Sequence, residues 1–569
     1  MVDKITVEVI RYGLEYIAEE LGIILRNSSY SANIKERMDC SVAIFDNEAR
    51  MLAQAEHIPV HLGAMPLCVK ETIKFFEELY PGDVLITNDP YKGGTHLPDI
   101  TCIAPIFYDT KIIGFVAVRA HHSDVGGSVP GSLPASAKTI FEEGLIIPPT
   151  KIVEKGELKR DILNFILSNT REPHVRKGDL LAQINACKIG VRRVLELVQK
   201  YGVKSFLDST SYILEYAKSL VEKELSQFPK ASAKAEDFLE LDDKLVKIEA
   251  KVIIDKGTMT FDFRGSDEQV DAPLNATKAV TLSASYYVFR TILMKDIPMN
   301  EGAYQLLNVI TKPRTLAHAT WPAAVGAGNV ETSQRIVDVL FKALAKIIPE
   351  RIPAAGQGTM NNVCIGGIDP ATGKPFTFYE TIGGGMGARP NKDGVDGIHV
   401  HMTNTMNTPI EEIEARFPIL ILAYRLRDGS GGAGKFRGGL GIERIYKPLV
   451  RVTVSLLGDR HKTRPYGLYG GLPGKPGEYI VLKKDGTKIK LKSKDVVDLD
   501  LEDILIIRTP GGGGYGPPQE RDRKLVIRDL IEGKISLEEA EKVYGLSLED
   551  IETKNLLRGR IYLELSNVD

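Results

Sequence analysis

The segment from Thr87 to Ser132 constrains the fold of this chain more than any other, because it carries three of the ten histidines close to acidic residues. A loop containing His96 is followed by two apolar runs, 99–107 and 112–120, with the turn-like residues 108–111 between them. Two such runs joined by a short turn predict an antiparallel β-hairpin. The open end of this hairpin is therefore where the polar side chains of the segment should meet.

The length of the turn decides which side chains face each other at that end. Opposed residues of an antiparallel pair have residue numbers with a constant sum. A three-residue turn centred on Thr110 gives a sum of 220, which places Asp99 opposite His121. A two-residue turn gives a sum of 219, so that His121 opposes Pro98 and His122 shares the face of Asp99. In both registers a histidine at one end of the hairpin meets a carboxylate at the other.

These residues favour a metal site. His96 precedes Asp99 by three residues and can close over the same place. Two imidazoles and a carboxylate that leave open positions suit a divalent metal holding water or substrate. The alternative is a histidine paired with a carboxylate near a strand end without any metal, since His-x-x-Asp is a short pattern. Asp39, at the start of a predicted strand (40–45), is either a capping residue or a further carboxylate directed into a neighbouring site.

Length and composition limit the classes of protein to consider. At 569 residues, the chain is expected to form roughly three or four domains. Hydrophobic and charged contents of 43% and 26% are typical of a soluble globular protein, and a net charge of −2 gives no reason to expect nucleic acid or a membrane surface as a partner. The N-terminus carries acidic residues among its apolar positions, unlike a signal peptide. Five scattered cysteines without a CxxC pair predict reduced thiols in a cytoplasmic protein.

The alternation of helical and strand patterns predicts a mixed α+β, multidomain fold. It begins with an N-terminal helix and β-hairpins that carry the metal loop, continues into a glycine-rich, β-containing C-terminal half, and ends in a helical tail. We divide the chain into an N-terminal metal-bearing α/β region (1–235), a central α+β region with glycine-rich loops (236–450), a small β region (451–518) and a charged helical tail (519–569).

Three further patterns leave alternatives open. His57 and His61 are interpreted as loop residues near the substrate side, ahead of a helix predicted over 65–79, because Pro59 argues against a helix between them. His399 and His401 alternate as on a strand, and with Asp393 or Asp396 they form either a second metal site or the lining of a pocket. The segment 429–435 fits the G-x-x-x-x-G-K phosphate loop, but Phe436 replaces the required hydroxyl residue, which favours a glycine-rich turn.

Several short motifs occur together in this chain. They are Asn88-Asp89-Pro90, Gly93-Gly94-Thr95-His96, Pro98-Asp99, the run from Arg119 to Gly127, the run from Glu380 to Gly385, Thr403-Asn404-Thr405, the run from Ser430 to Gly434, Arg437-Gly438-Gly439 and the run from Thr509 to Gly516. In combination they resemble the hydantoinase B/oxoprolinase family from about residue 5 to residue 518. The helical tail after Pro518 lies outside the resemblance.

The resemblance implies a B-type subunit of an ATP-dependent amidohydrolase that opens a cyclic amide or imide, such as 5-oxoproline or a hydantoin. It implies a hydantoinase A type partner subunit in a hetero-oligomer, with ATP bound by that partner and one divalent metal, zinc or manganese, bound here. The family's ligand pattern falls on His96, Asp99 and His121, with Asp39 as a fourth, and the choice of His121 requires the sum of 220.

The resemblance also leads to hypotheses about the reaction. The partner would phosphorylate the substrate, and His122 or Asp124, just beyond the ligand strand, would move a proton. The glycine backbones at 126–127 or 383–385 would donate N–H groups to an oxyanion or a phosphate. Two other functions compete, namely the metal-bearing subunit of an ATP-dependent acetone-type carboxylase and a non-catalytic scaffold for the partner.

Overall fold

The computed structural model describes residues 3–55, 57–293 and 296–546. The first part of the chain forms helices on both sides of one sheet. Its elements, in chain order, are α1 (Lys4–Ser28), α2 (Ala32–Lys35), β1 (Cys40–Asp46), β2 (Met51–Gln54), α3 (Pro59–Ile73), β3 (Val84–Thr87), β4 (Asp99–Tyr108), β5 (Lys111–His121), β6 (Thr150–Glu154), β7 (Glu157–Leu158), α4 (Arg160–Leu167), α5 (Pro173–Tyr201) and α6 (Val203–Leu225).

The remaining elements build three more sheets. They are β8 (Ala231–Leu241), β9 (Lys244–Asp255), β10 (Thr258–Asp262), α7 (Lys278–Ile292), α8 (Glu301–Tyr304), β11 (Leu307–Ile310), α9 (Ser333–Leu344), β12 (Asn362–Ile368), β13 (Pro375–Thr381), α10 (Ile410–Arg416), β14 (Ile419–Arg427), β15 (Gly441–Pro448), β16 (Val452–Leu457), β17 (Glu478–Leu482), β18 (Lys488–Leu491), β19 (Lys494–Leu499), β20 (Ile504–Arg508), α11 (Arg523–Ile531) and α12 (Leu537–Lys542). A mixed α+β architecture with a helical C-terminal segment is therefore confirmed.

The seven-stranded sheet that carries the predicted hairpin has the order β2-β1-β5-β4-β3-β6-β7. Alternate residues of β4 and β5 pack into two different cores. Cys102 and Val118 lie in the core formed with α1, α5 and α6, whereas Ile103 and Ala117 lie in the core that contains Met65 of α3. Because side chains alternate between faces, Asp99 and His121, with the same parity as Ile103 and Ala117, face α3.

The other sheets have the orders β11-β10-β9-β8, β13-β12-β16-β19 and β14-β15-β20-β17-β18. The core beneath α3 continues into β8, β9 and α9, so it takes residues from both sides of position 235. That boundary itself falls inside β8. The proposed division into domains stays a prediction.

The glycine-rich motifs have a structural explanation. A β-carbon added to Gly512 would lie 2.0 Å from the carbonyl oxygen of Met386, and one added to Gly385 would lie 2.0 Å from that of Gly439. Both distances are far inside van der Waals contact. The loops around 385, 439 and 512 therefore stack backbone against backbone, which only glycine permits.

The C-terminal segment is bound to these loops by ion pairs. Arg521 contacts Asp393 and Asp529 at 2.7 and 2.6 Å, and the ammonium group of Lys534 lies 3.2 Å from Asp396. The tail is thus integrated with the glycine-rich region as far as residue 546. The rest of the predicted tail, 547–569, lies outside the described residues.

One helix prediction needed correction. The helix expected over 65–79 begins at Pro59 and ends at Ile73. Proline is favoured in the first position of a helix, because an N–H at that position would have no helical partner.

Within the described ranges, no helix is both long enough and apolar enough to span a bilayer.

Candidate metal centre

The hairpin has the register that pairs Asp99 with His121. Near its tip the pairs are Tyr108 with Lys111 and Phe107 with Ile112, which correspond to the two-residue turn. A β-bulge between Ile106 and Phe107 then shifts the register by one, so the sum of 220 holds over the rest of the hairpin. Of the two registers considered, the one that places Asp99 opposite His121 is observed, but it arises through a bulge rather than a three-residue turn.

Three side chains converge at the open end of the hairpin. His96 Nε2 lies 3.2 Å from His121 Nδ1, and Asp99 Oδ1 lies 3.2 and 3.1 Å from these two nitrogens. Donors about 2.1 Å from an ion are separated by about 3.0 Å at neighbouring octahedral positions and about 3.4 Å at tetrahedral ones. The triangle therefore has the dimensions of one face of a coordination shell.

The surroundings of the triangle also fit a divalent metal. His96 and Asp99 have no exposed surface and His121 is 2% exposed. Within the described part of the chain, these three residues are the one group of histidine, cysteine or carboxylate side chains found close enough together to hold an ion. Two imidazoles and a carboxylate are donors suited to zinc or manganese.

The charge states of Asp99 and His121 agree with this chemistry. Burial acts to raise the pKa of Asp99, but His96 and His61 outweigh it and hold the pKa of this carboxyl well below its usual range. Burial lowers the pKa of His121, which favours the neutral imidazole that binds metals. Burial acts against protonation of His96 too, but the carboxylate of Asp99 raises its pKa.

The fold fixes each of these side chains from a different direction. Asn33 of α2 donates to the carbonyl oxygen of His121 at 2.6 Å, and the ring of Tyr379 on β13 stacks on the His121 ring with a centroid separation of 4.5 Å. The hydroxyl of Thr95 donates to Asp99 Oδ2. Tyr379 belongs to a different sheet, so the centre lies where the N-terminal region meets the C-terminal half.

The loop before the hairpin is held tightly against α3. Asn88 donates to the carbonyl oxygens of Leu97 and Leu145 at 2.8 and 2.9 Å, which closes the loop. A β-carbon on Gly93 would lie 2.5 Å from the backbone nitrogen of Cys68 in α3. This close approach, which needs glycine and a φ of 87°, brings His96 over the end of the hairpin.

Sequence reasoning placed His61 in a loop near the substrate side but did not include it in the metal cluster. Because α3 begins at Pro59, His61 lies in its first turn and faces the sheet, 2% exposed. Its Nε2 lies 3.2 Å from Asp99 Oδ1, and its Nδ1 lies 3.3 Å from the hydroxyl of Ser41 on β1. The interpretation of His61 as a loop residue was wrong. A proline two residues earlier was the signal that this histidine begins a helix.

Asp39 lies beside the triangle. Its carbonyl oxygen accepts from the backbone N–H of His121 at 3.0 Å, and its Oδ1 lies 3.8 Å from His61 Nε2. Its carboxylate is 5% exposed, and its charge acts to raise the pKa of His121. Asp39 is thus placed at the edge of the site, and its role as a fourth ligand stays a prediction.

The two predicted proton carriers lie in other surroundings. His122 lies on the α5 side of the hairpin, with its Nε2 2.7 Å from Gln183 Oε1, and burial lowers its pKa to about 4. The carboxylate of Asp124 accepts from the backbone of Gly126 and Gly131 and is paired with Arg171 at 2.8 Å. These contacts hold a loop and a helix in place. Proton transfer by His122 or Asp124 stays a prediction.

The glycine N–H donors suggested for an oxyanion are in part already used. The N–H of Gly384 donates to Ile398 and that of Gly385 to Pro510, at 2.9 and 3.0 Å, and that of Gly126 donates to Asp124 at 3.0 Å. These three groups therefore serve the fold.

The second group of histidines does not form a metal site with its predicted carboxylates. Asp393 and Asp396 accept hydrogen bonds from the backbone and side chain of Arg437 and are paired with tail residues. His401 instead lies 3.6 Å from Asp338. The segment 429–435 starts in a turn and is followed by irregular residues and strand β15 rather than a helix, as expected for a glycine-rich turn. His57, at the entrance to α3, lines a separate cavity of about 790 Å³.

Relatives of known sequence match nearly the whole chain. A protein of Methanocaldococcus jannaschii is 48% identical over 96% of each chain. 5-oxoprolinase 1 of Arabidopsis thaliana is 38% identical over 90% of this chain, which spans 42% of the plant protein. The putative B-type subunit of a D-/L-hydantoinase from a Pseudomonas species is 31% identical over 97% of this chain and 96% of its own.

Two solved structures share the fold. The ATP-dependent caprolactamase of Pseudomonas jessenii aligns with a TM-score of 0.90 at 28% identity, over 98% of this chain and 99% of its own. An acetone carboxylase in its nucleotide-free form also gives 0.90, at 18% identity, over 99% of this chain and 83% of its own. The family model for hydantoinase B/oxoprolinase matches residues 3–518. This chain therefore belongs to the hydantoinase B/oxoprolinase family.

Proposed function

We propose that this chain is the B-type subunit of an ATP-dependent amidohydrolase that opens a cyclic amide or imide, such as 5-oxoproline or a hydantoin-like ring. The observation that carries the proposal is the buried triangle of His96, Asp99 and His121, whose donor atoms lie 3.1–3.2 Å apart. A non-catalytic scaffold would have no need to bury these three groups so close together.

In this proposal the triangle holds one divalent metal, zinc or manganese. When bound, such an ion polarises a carbonyl oxygen and lowers the pKa of water. The residues of this chain orient the donors: Thr95 holds the second oxygen of Asp99, His61 holds the first, and Tyr379 fixes the plane of the His121 ring. Such partners of metal ligands are required to keep the ligands in one orientation.

The proposal assigns ATP to a hydantoinase A type subunit in a hetero-oligomer. An amide resists attack by water, so activation by phosphorylation of its oxygen makes ring opening feasible. Two findings support a separate ATP-binding chain. The glycine-rich segment 429–435 lacks the hydroxyl residue and the helix of a phosphate loop, and the Pseudomonas relative is named as one subunit of a hydantoinase.

The names of the relatives support hydrolysis of a cyclic amide over carboxylation. The caprolactamase and the 5-oxoprolinase are named for lactam substrates. The acetone carboxylase is similar in fold only, at 18% identity. A carboxylase subunit remains the second candidate because it has the same architecture, and bicarbonate-dependent product formation would distinguish it.

The test is reconstitution of the chain with a coexpressed hydantoinase A type subunit. We expect ring opening of 5-oxoproline, hydantoin or caprolactam that requires ATP and forms ADP together with product. The His121→Ala variant, assembled with the same partner, should lose ring opening. The proposal is contradicted if the assembled wild type opens none of these rings with ATP, or if the variant opens them equally well.

A further inference from the structure

A pocket next to the metal centre combines cationic groups with an aromatic wall. It has a volume of about 610 Å³ and lies between the start of α5 and strand β13. Its aromatic wall contains Phe376, Phe378 and Tyr379, and its charged lining includes Arg176 and Lys374. A pocket of this size and mixed lining is typical of a small-molecule site.

Two residues connect this pocket with the triangle. Tyr379 lines the pocket and stacks on the ring of His121. Asn33 lines it as well and donates to the carbonyl oxygen of His121. The pocket is therefore directly adjacent to two residues that hold His121 in place.

Arg176 is buried at this pocket with unused hydrogen-bonding capacity. It is 1% exposed, and its Nη1 donates to the hydroxyl of Ser123 at 2.7 Å. Its Nε and Nη2 have no hydrogen-bond partner; the closest carboxylate oxygen to Nη2, from Asp179, is 3.6 Å away. Buried guanidinium groups are normally hydrogen-bonded, because leaving such donors unpaired is costly. Beyond its ion pair with Asp179, Arg176 thus keeps donors that suit an anionic group.

The start of α5 adds to this preference. This helix of 29 residues begins at Pro173, and no side chain caps it. Residues 172–176 line the pocket, so the free N–H groups of the first turn lie at its wall. A helix N-terminus attracts negative charge. The lining also contains two acidic residues, Glu172 and Asp369, and burial raises the pKa of Glu172.

We propose that this pocket binds the anionic group of a ring-shaped substrate, with Arg176 and the start of α5 as its anion-binding groups and the aromatic wall against the ring. The inference rests on the proposed function for the identity of the ring. Two anions have the required chemistry: a carboxylate carried by the cyclic amide, as in 5-oxoproline, or the phosphate attached during activation.

The test uses the full-length, metal-loaded chain and measures binding by calorimetry. The probes are 5-oxoproline, 2-pyrrolidinone (the same ring without the carboxylate) and inorganic phosphate. In Arg176→Gln we expect binding of at least one anion to weaken about tenfold or more, the range for a charged hydrogen bond, while 2-pyrrolidinone is unaffected. Loss of 5-oxoproline binding identifies the carboxylate as the ligand, and loss of phosphate binding alone identifies the phosphate.

Two further variants keep the test decisive. Lys374→Gln changes an exposed cation of the lining and should weaken the same anion, so it replaces Arg176→Gln if that variant does not fold. Lys177→Gln changes an exposed cation of α5 outside the lining and serves as the matched control. The inference is overturned if the pocket variants bind both anions like the control, or if 2-pyrrolidinone is weakened equally. Because binding is measured without ATP or the partner, its outcome is independent of whether ring opening occurs.

Discussion

Replacement of His61 tests whether the metal site extends beyond its three central residues. The imidazole of His61 lies between Asp99 Oδ1, at 3.2 Å, and the Ser41 hydroxyl, at 3.3 Å, so it links the carboxylate to β1. Removing such a partner of a metal ligand typically weakens metal binding 10–100-fold, which is about 1.4–2.7 kcal/mol. We therefore expect His61→Ala to bind zinc or manganese 10–100-fold more weakly than wild type.

The assay is competition for the metal between the apo-protein and a chromophoric chelator. His61→Phe retains most of the buried volume without the nitrogen donors, and thus separates loss of positioning from loss of packing. His318→Ala is the control, because that imidazole bonds to the hydroxyl of Thr311 instead of the cluster. If both His61 variants bind metal as tightly as His318→Ala, then His61 does not position Asp99 and the reasoning is refuted.

Three other predictions concern groups outside the triangle. Gly512→Ala should lower the free energy of unfolding by more than about 3 kcal/mol in chemical denaturation, because a main-chain oxygen occupies the place of the added β-carbon. The control Gly486→Ala, where the β-carbon meets open space at a positive φ, should lower it by about 1 kcal/mol. Equal losses in the two variants would contradict the stacking of the loops. Burial raises the pKa of Glu331 to about 8, so the contribution of this group to wild-type stability should fall as the pH rises from about 4.5 towards that value. Glu331→Gln should therefore have a higher melting temperature than wild type at pH 9 but not at pH 5. An equal difference at both pH values would contradict the raised pKa of Glu331. If His122 carries a proton, His122→Ala should lower turnover about 10²–10⁴-fold. Turnover within about threefold of wild type would instead assign His122 a structural role through its bond to Gln183.

The local sequence predicted the hairpin and the residues at its open end. Apolar runs and turn residues are encoded within a short stretch, so arithmetic on residue numbers reduced the pairing to two registers, one of which places Asp99 opposite His121. The bulge that reconciles a two-residue turn with this pairing was not predicted, because it involves Ile106 and Phe107, which have no distinctive turn chemistry. The helical tail was predicted from its apolar spacing, but its ion pairs with Asp393 and Asp396 were not.

The rest of the site depends on contacts between distant parts of the chain. Tyr379 stacks on His121 although more than 250 residues separate them, and no local pattern marks this tyrosine. Arg176 looks like one more polar residue of a long amphipathic helix, and only its burial and unused donors distinguish it. His61 was the exception, since a proline at the start of a helix is a local signal that was interpreted in the wrong sense.

The central claim is that His96, Asp99 and His121 hold a divalent metal. The most direct test is metal content per chain by elemental analysis, for wild type and for His121→Ala purified in the same way. We expect about one zinc or manganese per wild-type chain and a loss of that metal in a variant that remains folded. A well-folded wild type without metal, even after incubation with each ion, would contradict the claim, and the three residues would then form a hydrogen-bonded cluster.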